Sequence, residues 1–267
     1  MRLLHEIRLF FVALQFLTRV PVPRWVGYEP AWLQQAPRYF PLVGLLVGLV
    51  GAAVMGTARL LWSDGIAAGL GIAATVLLTG AFHEDGFADT CDGLGGATDK
   101  ARALAIMKDS RIGSYGSVGL VLMLGLKAAS LSAWLGASPG HALLVSAWAH
   151  MASRLAPVGV MQILPYAGDA EHAKAKPLSM GIGAGGLLIA ALSVLLGTLA
   201  CLWIAPALLV PLFGGTVAAA VLCVRLAAWL KRRLGGFTGD TLGAVQQLSE
   251  LALLLATLAI WNFGKGA

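Results

Sequence analysis

Residues 181–203 read GIGAGGLLIAALSVLLGTLACLW, 23 positions without a single charge. About 20 such residues, wound as a helix, cross the hydrocarbon core of a bilayer. Six other apolar stretches share the pattern, at 40–62, 64–82, 114–136, 140–164, 205–230 and 246–263. The chain is 58% hydrophobic and 12% charged, with a mean hydropathy of +0.80. A soluble domain is nearer a quarter charged, so the surplus of apolar residues points to lipid as the solvent. The 34 glycines agree, because small residues let membrane helices pack closely. Gly44, Gly48, Ala52 and Gly56 form one such stripe at four-residue spacing. The expected fold is all-α: a polytopic membrane bundle of about seven spans, with six to eight allowed by the two shortest runs. It forms one domain over 1–267, with no soluble domain and no long-period repeat.

The N-terminus differs in kind. Leu3, Leu4, Ile7, Phe10, Phe11, Leu14 and Leu17 recur at helical spacing, with His5, Arg8, Gln15 and Arg19 opposite. That pattern predicts an amphipathic helix within 1–24, lying in the membrane interface and ended by Pro21 and Pro23. Glu6 and Arg8 interrupt the start, and no small-x-small site follows, which argues against a signal peptide. Of the 19 Lys and Arg, five lie in 1–38, four in 83–113, two in 165–180 and three in 231–245. The turns at 63–65, 136–140 and 204–212 carry none. Positive residues stay on the cytoplasmic side, so the N-terminus and the longer loops are expected there, and an odd span count puts the C-terminus outside. The net charge of +6 is therefore a topology signal; no basic stripe interleaved with aromatics suggests nucleic acid. Cys91, Cys201 and Cys223 form no Cys-x-x-Cys pair and predict neither a disulfide framework nor a thiolate metal site.

Three polar clusters then fall on one membrane face. In FHEDGFADTCDGLGG, residues 82–96, Glu84 is followed by Asp85, Asp89 and Asp92 at i, i+4 and i+7 of a helix. Like charges on one face repel, and a divalent cation offsets that repulsion. Oxygen donors favour magnesium or manganese over zinc, even with His83 nearby. The alternative is a solvated acidic loop that caps two helices. In IMKDSRIGSYG, residues 106–116, Lys108, Ser110 and Arg111 are candidates for phosphate binding, and Asp109 for a further catalytic carboxylate. Thr98 or Asp99 is the expected cap of a short helix leading into it. An ordinary positive-inside loop explains this cluster nearly as well. In KRRLGGFTGDTLGAVQQLSE, residues 231–250, Arg232 and Arg233 end one span, and Thr238 and Asp240 open the last helix, whose N-terminus favours anions. Glu250 then lies about three turns into an apolar segment, where an ionisable group is costly. A structural explanation pairs it with Arg154 or Arg225. Acids for metal, bases for phosphate and glycines for close approach suit phosphoryl transfer.

HEDGFADTCDG at 83–93, MKDSRIGSYG at 107–116 and GGFTGDTLGA at 235–244 resemble the cobalamin synthase family, adenosylcobinamide-GDP ribazoletransferase. FLTRVPVP at 16–23 and YFPLVG at 39–44 add to the resemblance, which keeps the motif order over nearly the whole chain. It implies a magnesium-dependent enzyme of the bacterial inner membrane. Such an enzyme joins adenosylcobinamide-GDP to alpha-ribazole or its 5'-phosphate and releases GMP. On that reading Asp85, Asp89 and Asp92 hold the metal, and Glu84 or Asp109 completes the site or takes the hydroxyl proton. The substrate contacts expected are Lys108, Ser110, Arg111, Arg232, Arg233, Thr238, Asp240 and Glu250. The partners implied are the two substrates and the bilayer, with room for a homo-oligomer or for other late cobalamin-pathway enzymes. The aspartate spacing is also faintly similar to the CDP-alcohol phosphotransferases, but Ala88-Asp89 stands where that group has Ala-Arg. A secondary transporter that uses Glu250, Arg154 and Arg225 is the reading from another class. It lacks the internal repeat common in transporters.

Overall fold

A computed structural model describes residues 2–168 and 182–266. Twelve α-helices carry the architecture. They are α1 (Arg2–Leu17), α2 (Pro30–Gln35), α3 (Phe40–Ala58), α4 (Asp64–Thr79), α5 (Phe82–Gly96) and α6 (Lys100–Met107), then α7 (Ser114–Ala137), α8 (Pro139–Ser153), α9 (Leu155–Ile163), α10 (Ala184–Ile204), α11 (Leu209–Leu234) and α12 (Gly239–Gly266). Outside the helices, Pro165–Ala167 and Phe237 pair as an isolated bridge, with Phe237 N–H donating to Pro165 O at 3.0 Å and Ala167 N–H to Phe237 O at 2.8 Å. The rest of the loop expected over 165–180, with Lys174 and Lys176, lies outside the described residues from 169 onward.

The expected bundle is present, with fewer uninterrupted spans than seven. Among the described residues, five helical segments are long and apolar enough to cross a membrane: Pro30–Ala58, Ser114–Ala137, Ala184–Ile204, Pro206–Leu234 and Gly239–Lys265. A sixth arises if α4 and α5 count as one broken span, bent by 91°. The stretch 140–164 divides at Arg154 into α8 and α9, each too short to pass alone. The bend between α4 and α5 has a clear local cause. Gly80 (φ 68°) and Ala81 (φ 58°) are both left-handed, and Ala81 N–H reaches back to Val76 O at 2.9 Å. This is a Schellman ending, which stops α4 and turns the chain.

The small-residue stripe of α3 lies against α8. A Cβ on Gly48 would sit 2.8 Å from Ala147 Cα and from His150 Cβ, and one on Gly56 3.2 Å from Leu143. Gly48→Leu is therefore expected to lower stability by about 1–3 kcal/mol, the usual cost of overpacking. A drop in the thermal midpoint in detergent, with Leu46→Ala on the exposed face as control, would check it.

α1 packs as an amphipathic helix, but its protein-facing stripe is rotated from the expected one. Leu9, Val12, Ala13, Leu14 and Leu17 are buried, whereas Leu3, Leu4 and Ile7 are exposed. Glu6 ties the helix down, accepting from Tyr39 Oη at 2.7 Å and pairing with Arg38 at 3.4 Å. The exposed leucines leave an apolar edge, as an interfacial helix requires.

The two ends of the bundle carry different chemistry. At one end Arg59 pairs with Asp64 at 2.7 Å, and Lys265 donates to Ala137 O at 3.3 Å, so the C-terminus lies beside the α7–α8 turn. At the other end α5 lies against the starts of α7 and α12, and α6 packs on α5.

Candidate active site

The acidic stretch is helical, so Asp85, Asp89 and Asp92 do share one side of α5. Their surroundings differ. Asp85 is exposed, Asp89 is half-buried and Asp92 is buried. Between the first two lies Gly86, where a Cβ would stand 2.9 Å from Asp240 Cα and 2.8 Å from Asp240 O. Only glycine lets α5 touch the backbone of α12 there, and the contact brings Asp240 to the edge that carries Asp85 and Asp89.

Asp92 has a different task from the one its spacing suggests. Its Oδ2 accepts from Gly113 N–H at 2.7 Å and its Oδ1 from Gly116 N–H at 2.8 Å. No side chain of α7 itself caps that helix start, so a carboxylate from α5 satisfies the free N–H groups and meets the positive end of the helix dipole. Cβ atoms at Gly113 and Gly116 would crowd the Asp92 carboxyl, 2.8 and 3.1 Å from its Cγ. Those two glycines make room for a carboxylate.

The other expected contacts sort in the same way. Asp99 caps α6, accepting from Arg102 N–H at 2.9 Å. Lys108, Ser110 and Arg111 are exposed on the loop before α7. Asp109 is gripped by Arg111 at 2.6 Å, which holds its carboxyl down to about 2, too low for a good general base while that pair persists. Arg232 is exposed. Arg233 instead closes the C-terminus of α5, donating to Leu94 O at 3.2 Å and to Ala97 O. Thr238 and Thr241 cap α12 reciprocally: Thr238 N–H donates to Thr241 Oγ1 at 2.8 Å, and Thr241 N–H to Thr238 Oγ1 at 3.2 Å. Both threonines are buried, so Thr238 shapes the helix start.

Glu84 and Glu250 belong to a separate, buried network. Glu250 is 3% exposed, with Oε1 2.7 Å from Lys127 Nζ and Oε2 3.2 Å from His150 Nδ1. Gln246 donates to Glu250 at 2.7 Å and to Ser153 Oγ at 3.0 Å. The expected partners do not take this role: Arg154 is bound to His150 O at 2.7 Å, and Arg225 is exposed on α11. The signal that was available is that Lys127 is the only charge within 114–137. A lone cation at that depth needs an anion at the same depth. Glu84 is buried as well and is joined to the network through Gln247.

Among the described residues, no three His, Cys, Asp or Glu groups converge as a ready metal cage. Asp85 and Asp89, one turn apart on the outer edge of α5, remain. Magnesium is commonly held by one or two carboxylates, with substrate phosphates and water completing its shell. The pair fits that donor set.

A family model described as cobalamin-5-phosphate synthase matches residues 9–258. The chain belongs to the cobalamin-5-phosphate synthase family. The match runs from α1 into α12 and contains all three polar clusters. Among curated proteins, an adenosylcobinamide-GDP ribazoletransferase of Leptothrix cholodnii is 54% identical over 97% of this chain and 98% of its own length. Proteins of the same name from Albidiferax ferrireducens (44% identical; 93% and 96% covered) and Shewanella amazonensis (42%; 97% and 97%) are also similar. No solved structure matches. As a member of the cobalamin-5-phosphate synthase family the chain is an enzyme.

Proposed function

We propose that the protein joins adenosylcobinamide-GDP to alpha-ribazole or its 5'-phosphate at the cytoplasmic face of the bacterial inner membrane, with magnesium. The observation that carries this reading is the edge where Asp85 and Asp89 of α5 meet the first turn of α12 at Asp240, in a chain of this family. The ribazole hydroxyl oxygen forms a bond to the phosphorus next to cobinamide. The bond from that phosphorus to the GMP oxygen breaks, and GMP leaves with the electron pair. The hydroxyl proton passes to a carboxylate near the same edge, Asp240, or to Asp109 once the diphosphate draws Arg111 away.

Asp85 and Asp89 would hold magnesium, which when bound neutralises diphosphate charge. Lys108, Arg111 and Arg232 are exposed on the same end and supply cationic contacts for the phosphates of the leaving nucleotide. The N-terminus of α12 adds its dipole. Asp92, Arg233 and Thr238 hold the three helix ends that frame the edge. The cytoplasmic assignment is supported by the basic residues of 1–38, 83–113 and 231–245, all at the end opposite the C-terminus.

Purified protein in liposomes, given adenosylcobinamide-GDP and either ribazole form, should release GMP only with magnesium, one for each corrinoid product. Folded protein that yields no GMP with either acceptor would sink the proposal.

A further inference from the structure

The 91° bend leaves α5 without helical continuity to α4, so its placement depends on close packing against α12 at Gly86 and Gly243 and on side-chain anchors. Asp92 and Arg233 fix its second half. The anchor of its first half is Glu84, the residue before Asp85, and it reaches into the membrane interior. Glu84 Oε1 accepts from Gln247 Nε2 at 2.9 Å. Gln247 Oε1 accepts from Lys127 Nζ at 2.7 Å, and the same ammonium pairs with Glu250 at 2.7 Å. Lys127, Gln247 and Glu250 are all at most 3% exposed.

The chemistry of this chain has a direction. An ammonium can only donate and an ionised carboxylate can only accept. The amide between them is satisfied one way round, oxygen towards Lys127 and nitrogen towards Glu84. A small cavity lined by Glu84, Lys127, Ser146, His150 and Glu250 adjoins the chain. We infer that Lys127 and Gln247 are positioning residues, which hold Glu84 and through it set the place of Asp85 and Asp89 against α12. This rests on the proposed function only in its choice of the α5 edge as the site.

The test uses full-length protein in detergent or liposomes. Lys127→Met/Glu250→Gln removes the two charges of the Lys127–Glu250 pair together, which avoids stranding either of them without the other. Gln247→Glu keeps the shape but turns an acceptor towards Glu84. Each is compared with Lys127→Arg, which keeps the donor. Thermal unfolding reports the fold, and GMP release the chemistry. Maleimide labelling of Cys91, resolved by mass spectrometry, reports the docking of α5 without any turnover, since Cys91 packs against Gly119 of α7. The expected result is folded double variant and Gln247→Glu with kcat lowered roughly 100-fold, the cost of about 1 Å of misplacement, and KM changed little. Cys91 should label faster in both, and Lys127→Arg should recover part of the turnover. Wild-type turnover and labelling in either folded variant would overturn the inference. So would failure of both to fold, which would make the chain a folding element only. Wild-type protein that releases no GMP would refute the proposed function, while the labelling would still decide the positioning role.

Discussion

Asp85→Asn and Asp89→Asn should each lower GMP release by roughly 10³-fold, the upper range for losing one preorganised electrostatic contact, while the protein unfolds at its usual temperature. Both side chains reach solvent, and neither change opens a cavity. An amide keeps the shape of the carboxylate but loses the charge that holds a cation against the diphosphate. Like charges at i and i+4 repel by a few tenths of a kcal/mol, and each change relieves that repulsion within α5. Asp92→Asn should behave differently. Its carboxylate takes two N–H bonds at the start of α7, and hydrogen bonds to a charged group contribute about 1.5–3 kcal/mol. That variant should melt earlier and lose activity through the displaced helix. Single-turnover GMP release beside thermal unfolding separates the two cases. Near-normal turnover from both Asp85→Asn and Asp89→Asn would remove the metal pair from the mechanism.

The second large effect is on stability. Glu250→Gln leaves Lys127 buried without its counter-charge, which costs about 3–5 kcal/mol. Glu29→Gln should cost almost nothing, because Glu29 is exposed and its side chain makes no capping bond. Unfolding midpoints of the two variants in the same detergent provide the comparison. Equal midpoints would mean that the Lys127–Glu250 pair contributes nothing to holding α7 against α12.

Much of the site was legible residue by residue, but not in its division of labour. The helical spacing of the α5 acids placed them on one side, which was correct. Spacing is blind to which of three carboxylates a neighbouring helix start will take. Gly113 and Gly116 are the space that Asp92 occupies. Arg233 and Thr238 were read as substrate contacts, and both close helix ends instead. A basic or hydroxyl side chain beside a helix end has the same local pattern whether it meets a ligand or a backbone carbonyl. The partner of Glu250 was misassigned because depth along a span can be counted from sequence, whereas the facing of two helices cannot.

The amino-acid sequence by itself determined the fold class, its apolar helices and the end of the bundle at which the polar clusters gather. These follow from local quantities: the length of uncharged runs, the placement of Lys and Arg, and the stripe of small residues that fixes how close α3 approaches α8. It also determined the family, through motifs kept in order along the chain. Only the tertiary structure decided that α4 and α5 meet at a right angle, that Asp92 serves α7, and that Lys127, Gln247 and Glu84 join α7, α12 and α5. The α4–α5 bend is local, but the other two are contacts between residues at least 21 positions apart, or 163 in the case of Glu84 and Gln247. The energy of such a contact depends on which helix faces which, and that is set by the packing of the whole bundle.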